Sequence, residues 1–281
     1  MKKRLFVSFL LVCAVFCSTS FAYKVVHATS DDYTLSTFTT PYGASVPIAY
    51  LQGADVNEEY NNLSNHPSAV RIGNGSKKYN CFTYALIFNG NIDNLSQHAS
   101  TEIFTVENAS NLITGNPCLT RVNFNEVTAG DIVMYKILPT QTEFYPNTYN
   151  HAGIVYEKGS TLESTVILSK WGTYPVYRHN LTDNPYMGTS YQLCLTEQPI
   201  ERVIGFSFFR VDHNYTYSIK YIATPSIALP QRSTYHKAVC SDCGSFHYEY
   251  HTYINVNNYM VCKDCGYNTN HMVNSVIPET N

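Results

Sequence analysis

Two groups of residues carry chemistry. Cys81 follows Tyr79-Asn80 and opens the apolar run Phe82-Thr83-Tyr84-Ala85-Leu86-Ile87-Phe88. Asn80 is a good N-cap and Asn89-Gly90 a good stop, so the run predicts a helix with Cys81 in its first turn. Free N–H groups and the helix dipole there favour a thiolate. His151 lies 70 residues further on, at the start of the β-rich run His151-Ala152-Gly153-Ile154-Val155-Tyr156. A thiolate facing an imidazole can carry out acyl transfer. The sulfur attacks a carbonyl, the imidazole protonates the leaving amine, and water releases the acyl group. The Cys81 backbone N–H would donate to the oxyanion. A buried cysteine on an apolar helix also serves as ordinary core, so the pair draws its force from the surrounding sequence.

The second group is C-terminal. Cys240-x-x-Cys243 and Cys262-x-x-Cys265 are separated by 18 residues. Each pair fits a tight turn with both sulfurs on one side, and two such turns close a tetrahedral cage of four thiolates around zinc. Gly244 and Gly266 follow the second cysteine of each pair, where a left-handed residue helps the turn. His236, His247 and His251 are nearby alternatives as ligands. Two disulfides are the competing reading in an exported chain. A unit this short lacks an adequate apolar core, so a metal would supply its folding free energy. A closed four-cysteine shell leaves no open position, so the zinc is structural. Cys118 and Cys194 remain, and can pair as a disulfide.

The elements that must position these groups read mostly as strands after Gly130. Asp131-Ile132-Val133-Met134-Tyr135, the His151 run, Thr165-Val166-Ile167-Leu168-Ser169 and the stretch from Val203 to Val211 are β-rich, with a turn at Glu157-Lys158-Gly159-Ser160. A second helix is expected over 101–113. Residues 1–22 read as a signal peptide: Lys2-Lys3-Arg4, an apolar run from Leu5 to Cys17, and a small-residue cleavage site ending at Ala22. Residues 23–60 read as a strand-poor extension, 61–213 as the catalytic domain, 214–235 as a linker and 236–281 as a zinc-ribbon-like unit. The 281 residues carry a net charge of −3, and a leader holding three basic residues and no acid would leave the mature chain more acidic. That balance excludes a nucleic-acid-binding surface. No later segment is apolar enough to span a membrane. The expectation is a secreted or wall-associated monomer.

Tyr79-Asn80-Cys81-Phe82-Thr83-Tyr84-Ala85-Leu86, then Gly130-Asp131-Ile132-Val133-Met134-Tyr135, then His151-Ala152-Gly153-Ile154-Val155, in that order, resemble the NlpC/P60 and CHAP cysteine peptidase/amidase superfamily. Ser169-Lys170-Trp171-Gly172 and Pro175-Val176-Tyr177-Arg178-His179 look like one exported subgroup of it. The resemblance covers about 65–211. It implies an α+β fold with a papain-like core, in which an N-terminal helix bearing the nucleophile packs on an antiparallel sheet. It also implies Cys81 as nucleophile, His151 as base, and hydrolysis of amide bonds in peptidoglycan, as an endopeptidase or an N-acetylmuramoyl-L-alanine amidase. The C-terminal segment resembles zinc-ribbon-like tails of exported Gram-positive proteins.

The third catalytic position departs from the superfamily's usual His, Asn, Gln or Glu. Ser169 can accept a bond from the imidazole and is the expected third residue, whereas a charged Lys170 has only donors; His179 and Asn180 lie further along and could fold back. Asp131 reads as a structural turn acid. Trp171 reads as a groove wall or as core. A non-catalytic surface or wall-binding protein is the competing function.

Overall fold

Val, Ile, Thr and the 24 tyrosines suit pleated strands, and the computed structural model is accordingly built from them. It describes residues 33–53, 55–91, 103–137, 149–187, 191–192, 199–200, 204–218, 235–257 and 259–267. In chain order the strands are β1 (Tyr33–Thr39), β2 (Ser45–Leu51), β3 (Val70–Arg71), β4 (Thr105–Val106), β5 (Leu119–Val122), β6 (Ile132–Ile137), β7 (Tyr149–Glu157), β8 (Val166–Lys170) and β9 (Val176–Asn180). There follow β10 (Tyr191–Gln192), β11 (Pro199–Ile200), β12 (Ile204–Val211), β13 (Tyr215–Ser218), β14 (Tyr235–Cys240), β15 (Phe246–Tyr250), β16 (Tyr253–Val256) and β17 (Tyr259–Cys262).

The main sheet has seven strands in the order β3-β9-β8-β7-β6-β12-β5, every neighbour antiparallel. Alternation along the strands gives it two apolar faces. Val133, Tyr135, Val155 and Ile167 meet Leu181 and Phe208 on one. Ile132, Met134, Ala152 and Ile154 join Tyr84, Ala85, Leu86, Ile87 and Phe88 in the larger core on the other. The register slips between Tyr135 and Lys136, beside the Tyr135–His151 pair. Bulges of this kind re-aim side chains next to functional sites.

The expected α+β, papain-like core is not what the chain forms. Strand accounts for 43% of the structure and helix for 10%. The element that follows Cys81 is the short segment Thr83–Ile87, and Ser110–Ile113 adds one further turn. The reason is local. Asn89 and Gly90 both adopt positive φ, of 46° and 74°, and stop the helix as soon as it has formed. The helix expected over 101–113 is broken in the same way. Thr105 and Val106 are drawn into pairing with β2, and Gly115 at φ 74° closes the turn behind Ile113.

Two boundaries also move. Residues 23–60 were expected to be strand-poor, yet β1 and β2, seven residues each, form a hairpin. Phe38 stacks on Phe104 from it at 5.5 Å. The linker expected at 214–235 contains β13, which pairs with β14 from Tyr215↔Cys240 to Ser218↔Lys237. The C-terminal unit is not separate from the body. Phe246 and Tyr248 belong to the main core, and the Phe246 ring lies 5.0 Å from Phe88. The signal-peptide reading falls on residues 1–22, outside the described residues.

Gly153 on β7 allows β7 and β8 to close up below His151. A Cβ there would lie 3.0 Å from the Leu168 carbonyl oxygen and 3.1 Å from the Ser169 Cβ. We expect Gly153→Ala to cost about 1–3 kcal/mol by overpacking, read as a lower denaturation midpoint in urea; an unchanged midpoint would mean that the strands separate freely there.

Candidate thiol site and two Cys/His clusters

Asn80 sets the start of the helical segment. Its Oδ1 accepts the Thr83 N–H at 3.1 Å, and its Nδ2 donates to the Val106 carbonyl at 2.8 Å. The cap thus also ties the helix to β4. Thr83 Oγ1 repeats the tie by donating to the Phe104 carbonyl at 2.6 Å and accepting the Val106 N–H at 3.1 Å. The segment then widens by one residue, since the Phe88 N–H donates to Thr83 O. Cys81 sits buried at its first turn. Burial pushes the thiol up to about 12, although backbone N–H groups of Ala152, Phe82 and Cys81 itself and the Lys170 charge favour the thiolate. The Ala152 N–H adjoins His151 in the chain, so the sulfur lies against the strand that carries the imidazole.

His151 is fully buried, and neither ring nitrogen has a hydrogen-bond partner in the structure. Burial, and then the proximity of His179, hold its pKa well below the ordinary histidine value, so the ring is neutral. It stacks on Tyr186 at 3.8 Å between centroids and 9° between planes, and lies 5.0 Å from the Tyr135 ring. Cys81 and His151 share one neighbourhood without bonding to each other. Tyr186 gave no signal in the sequence beyond being one tyrosine among many.

Ser169 is not placed to orient His151. Its hydroxyl lies 2.7 Å from His179 Nε2 and accepts the Trp171 indole N–H at 3.1 Å. The cause is the alternation on β8 and β9, which points Ser169, Trp171 and His179 into one cluster. His179 Nδ1 faces the Asn180 carbonyl at 2.7 Å. That arrangement makes Nδ1 the donor and Nε2 the acceptor, which requires a neutral ring. Trp171 is fully buried core, packed on Tyr177 at 4.2 Å. Asp131 is a structural acid. It accepts the Thr128 N–H at 2.8 Å and pairs with Arg210 at 2.9 Å.

Lys170 is wholly buried, and its ammonium donates to the carbonyls of Ser76, Gly172 and Tyr174 at 2.7–2.8 Å. It also lies 4.8 Å over the Tyr79 ring. Burial lowers its pKa to about 7, against the opposing pull of Asp55, Cys81 and Glu58.

The four C-terminal cysteines do not share one cage. Cys240 and Cys243 gather with Cys118 and His213, whereas Cys262 and Cys265 gather with His236 and His251. Within each quartet the ligand atoms all lie within 4.8 Å of one another, and each quartet is able to hold a metal ion. The two knuckles have the same fold. Gly244 N–H donates to Cys240 O and Gly266 N–H to Cys262 O, with glycine φ values of 77° and 73°. The left-handed glycines are those the sequence marked. The split follows from topology, because β15, β16 and β17 carry the second knuckle away from the first. Cys118 had been matched with Cys194, which lies outside the described residues. Its sulfur instead lies 3.6 Å from Cys240, too far for the ~2.05 Å of a disulfide. His213 was missed because it lies 30 residues from Cys243 and belongs to no motif. His247 is not a ligand; its ring packs on Tyr215 and approaches Glu249 at 3.7 Å.

The chain matches no family model, no curated protein and no solved structure.

The neutral His179 makes a pH prediction. Burial lowers its pKa to about 4 in the folded chain, against about 6.5 unfolded. A depressed value means the stability is fully present above about pH 6.5 and is lost as pH falls towards 4. The loss is worth about 3 kcal/mol. We expect unfolding free energy to fall over that window in the wild type and to fall less steeply in His179→Gln. Equal slopes would show that folding leaves the His179 pKa unshifted.

Proposed function

We propose that this protein is a thiol hydrolase that cleaves amide bonds through Cys81, with His151 as its proton carrier. The observation that supports the reading is the placing of Cys81 beside His151. A cysteine at a capped helix start lies against the Ala152 N–H, beside a neutral histidine whose two nitrogens are unengaged. Unpartnered buried nitrogens are costly to a fold, and sites of chemistry are where such costs collect.

The resting pair is thiol and imidazole rather than thiolate and imidazolium, because burial penalises both charged forms. As substrate enters, the Cys81 proton passes to His151 and the sulfur adds to the carbonyl carbon. The N–H groups of Phe82 and Cys81 favour negative charge at this point. His151 then gives its proton to the leaving amine, and water cleaves the thioester. Stacking on Tyr186 orients the imidazole, in place of the hydrogen-bonding third residue expected at Ser169. The superfamily motifs point to cell-wall peptides as substrate, outside the cell. A second reading, a non-catalytic wall-binding protein, is favoured by the depth at which Cys81 and His151 are buried.

The metal assignment belongs to the same reading. Thiolate and imidazole donors in fours suit zinc. Ideal tetrahedral zinc places sulfurs about 3.8 Å apart and sulfur and nitrogen about 3.6 Å apart, from bond lengths of about 2.3 and 2.05 Å. The Cys118–Cys240 separation is 3.6 Å, and the Cys–His separations are 3.3, 3.5 and 3.4 Å. The Glu249 carboxylate accepts from His236 Nε2 at 3.1 Å, which leaves Nδ1 for the ion.

The test is incubation of purified chain with peptidoglycan and identification of released fragments by mass spectrometry. We expect fragments from the wild type and none from Cys81→Ala or His151→Ala. Alkylation of Cys81 by iodoacetamide should be slow at pH 7 and rise steeply with pH. No fragments from a folded wild type would transfer support to the binding reading.

A further inference from the structure

Resting on the zinc assignment, we propose that the chain binds two separate zinc ions with different duties. The ion held by Cys118, His213, Cys240 and Cys243 staples the β14–β15 hairpin to the main body and so braces the Cys81 helix from behind. The ion held by His236, His251, Cys262 and Cys265 orders the C-terminal hairpins alone.

The ligands' origins carry the distinction. Cys118 directly precedes β5 at the edge of the main sheet, and its carbonyl accepts the Asp212 N–H at 3.0 Å. His213 follows the end of β12. Both therefore belong to the body, whereas Cys240 and Cys243 flank the turn between β14 and β15. The residues directly after Cys243 then enter the core. Gly244 lies against Phe38 and Pro41, where a Cβ would come within 3.0–3.2 Å. The Ser245 hydroxyl donates to the Leu86 carbonyl at 2.9 Å. Leu86 belongs to the helical segment that Cys81 opens, and its carbonyl is one that helix geometry leaves open near the C-terminal end. Phe246 completes the brace against Phe88 and Phe104. A path of covalent and packed contacts therefore runs from this ion to the nucleophile's helix. The second quartet has no ligand outside residues 236–265.

The experiment uses the purified full chain. Native mass spectrometry should find two zinc ions per wild-type chain and one in Cys118→Ser or in Cys265→Ser. Amide hydrogen exchange should then separate the two duties. Loss of the first ion should speed exchange about tenfold in 83–88 and 244–248, with little change in 251–265. Cys265→Ser should do the reverse. Should Cys118→Ser fail to fold, His213→Gln and stepwise zinc withdrawal from the wild type by a chromogenic chelator give the same readouts. One ion per chain, or two in Cys118→Ser, would overturn the two-site assignment. One ion lost from Cys118→Ser without faster exchange at 83–88 would overturn the brace and leave the zinc reading standing. No zinc in the reconstituted wild type would instead overturn the zinc assignment itself.

Discussion

A single ammonium fixes where Cys81 stands. Lys170 ends β8 inside the core, and its three N–H donors bind the carbonyls of Ser76, Gly172 and Tyr174. One of those carbonyls belongs to the chain approaching the Cys81 helix, and the other two to the turn that leads from β8 to β9. A buried amine is tolerated only when its donors are met. The carbonyls are thus held together by the same penalty that holds the lysine. Asp55 extends the clamp outward by accepting the Lys77 N–H and bonding Ser76 Oγ. With the chain that enters it secured in this way, the short helix needs little length of its own.

Around that anchor, burial and polarity pull in opposite directions. Desolvation raises the Cys81 thiol and lowers the His151 imidazole, so each group rests uncharged. Backbone N–H groups and the Lys170 charge offset only part of this for the sulfur. The Tyr186 ring, flat against His151, sets the imidazole plane and also covers it.

What could be read in the sequence was local. Asn80 as a cap, Asn89-Gly90 as a stop, the strands that became β6, β7, β8 and β12, and the left-handed Gly244 and Gly266 all announce themselves within a few residues. What could not be read depends on partners far along the chain. β1 has a largely exposed pattern and gains its place only from pairing with β2. β13 reads as linker until β14 is set beside it. The expected α+β core failed because the helix signal around Cys81 was true but short, and the rest of the chain favours strands. Ser169 could not be placed because which face of β8 meets which cluster is decided by register. The motif spacing identified both knuckles, but an ion's third and fourth ligands need not lie near its first two. Cys118 and His213 come from elsewhere for that reason.

The two Cys/His quartets also differ in how much chain each one closes. The His236–Cys265 quartet spans some 30 residues, whereas Cys118 and Cys240 are 122 residues apart. Loop-closure entropy grows only slowly with length, but contacts that span much of the sequence form late, after intervening strands have paired. The His236–Cys265 quartet can therefore assemble on an isolated stretch of nascent chain. The Cys118 quartet exists only once β5, β12 and β14 are in register. Its geometry is a record of completed folding, and the Cys81 helix receives the Ser245 and Phe246 contacts at that same last step.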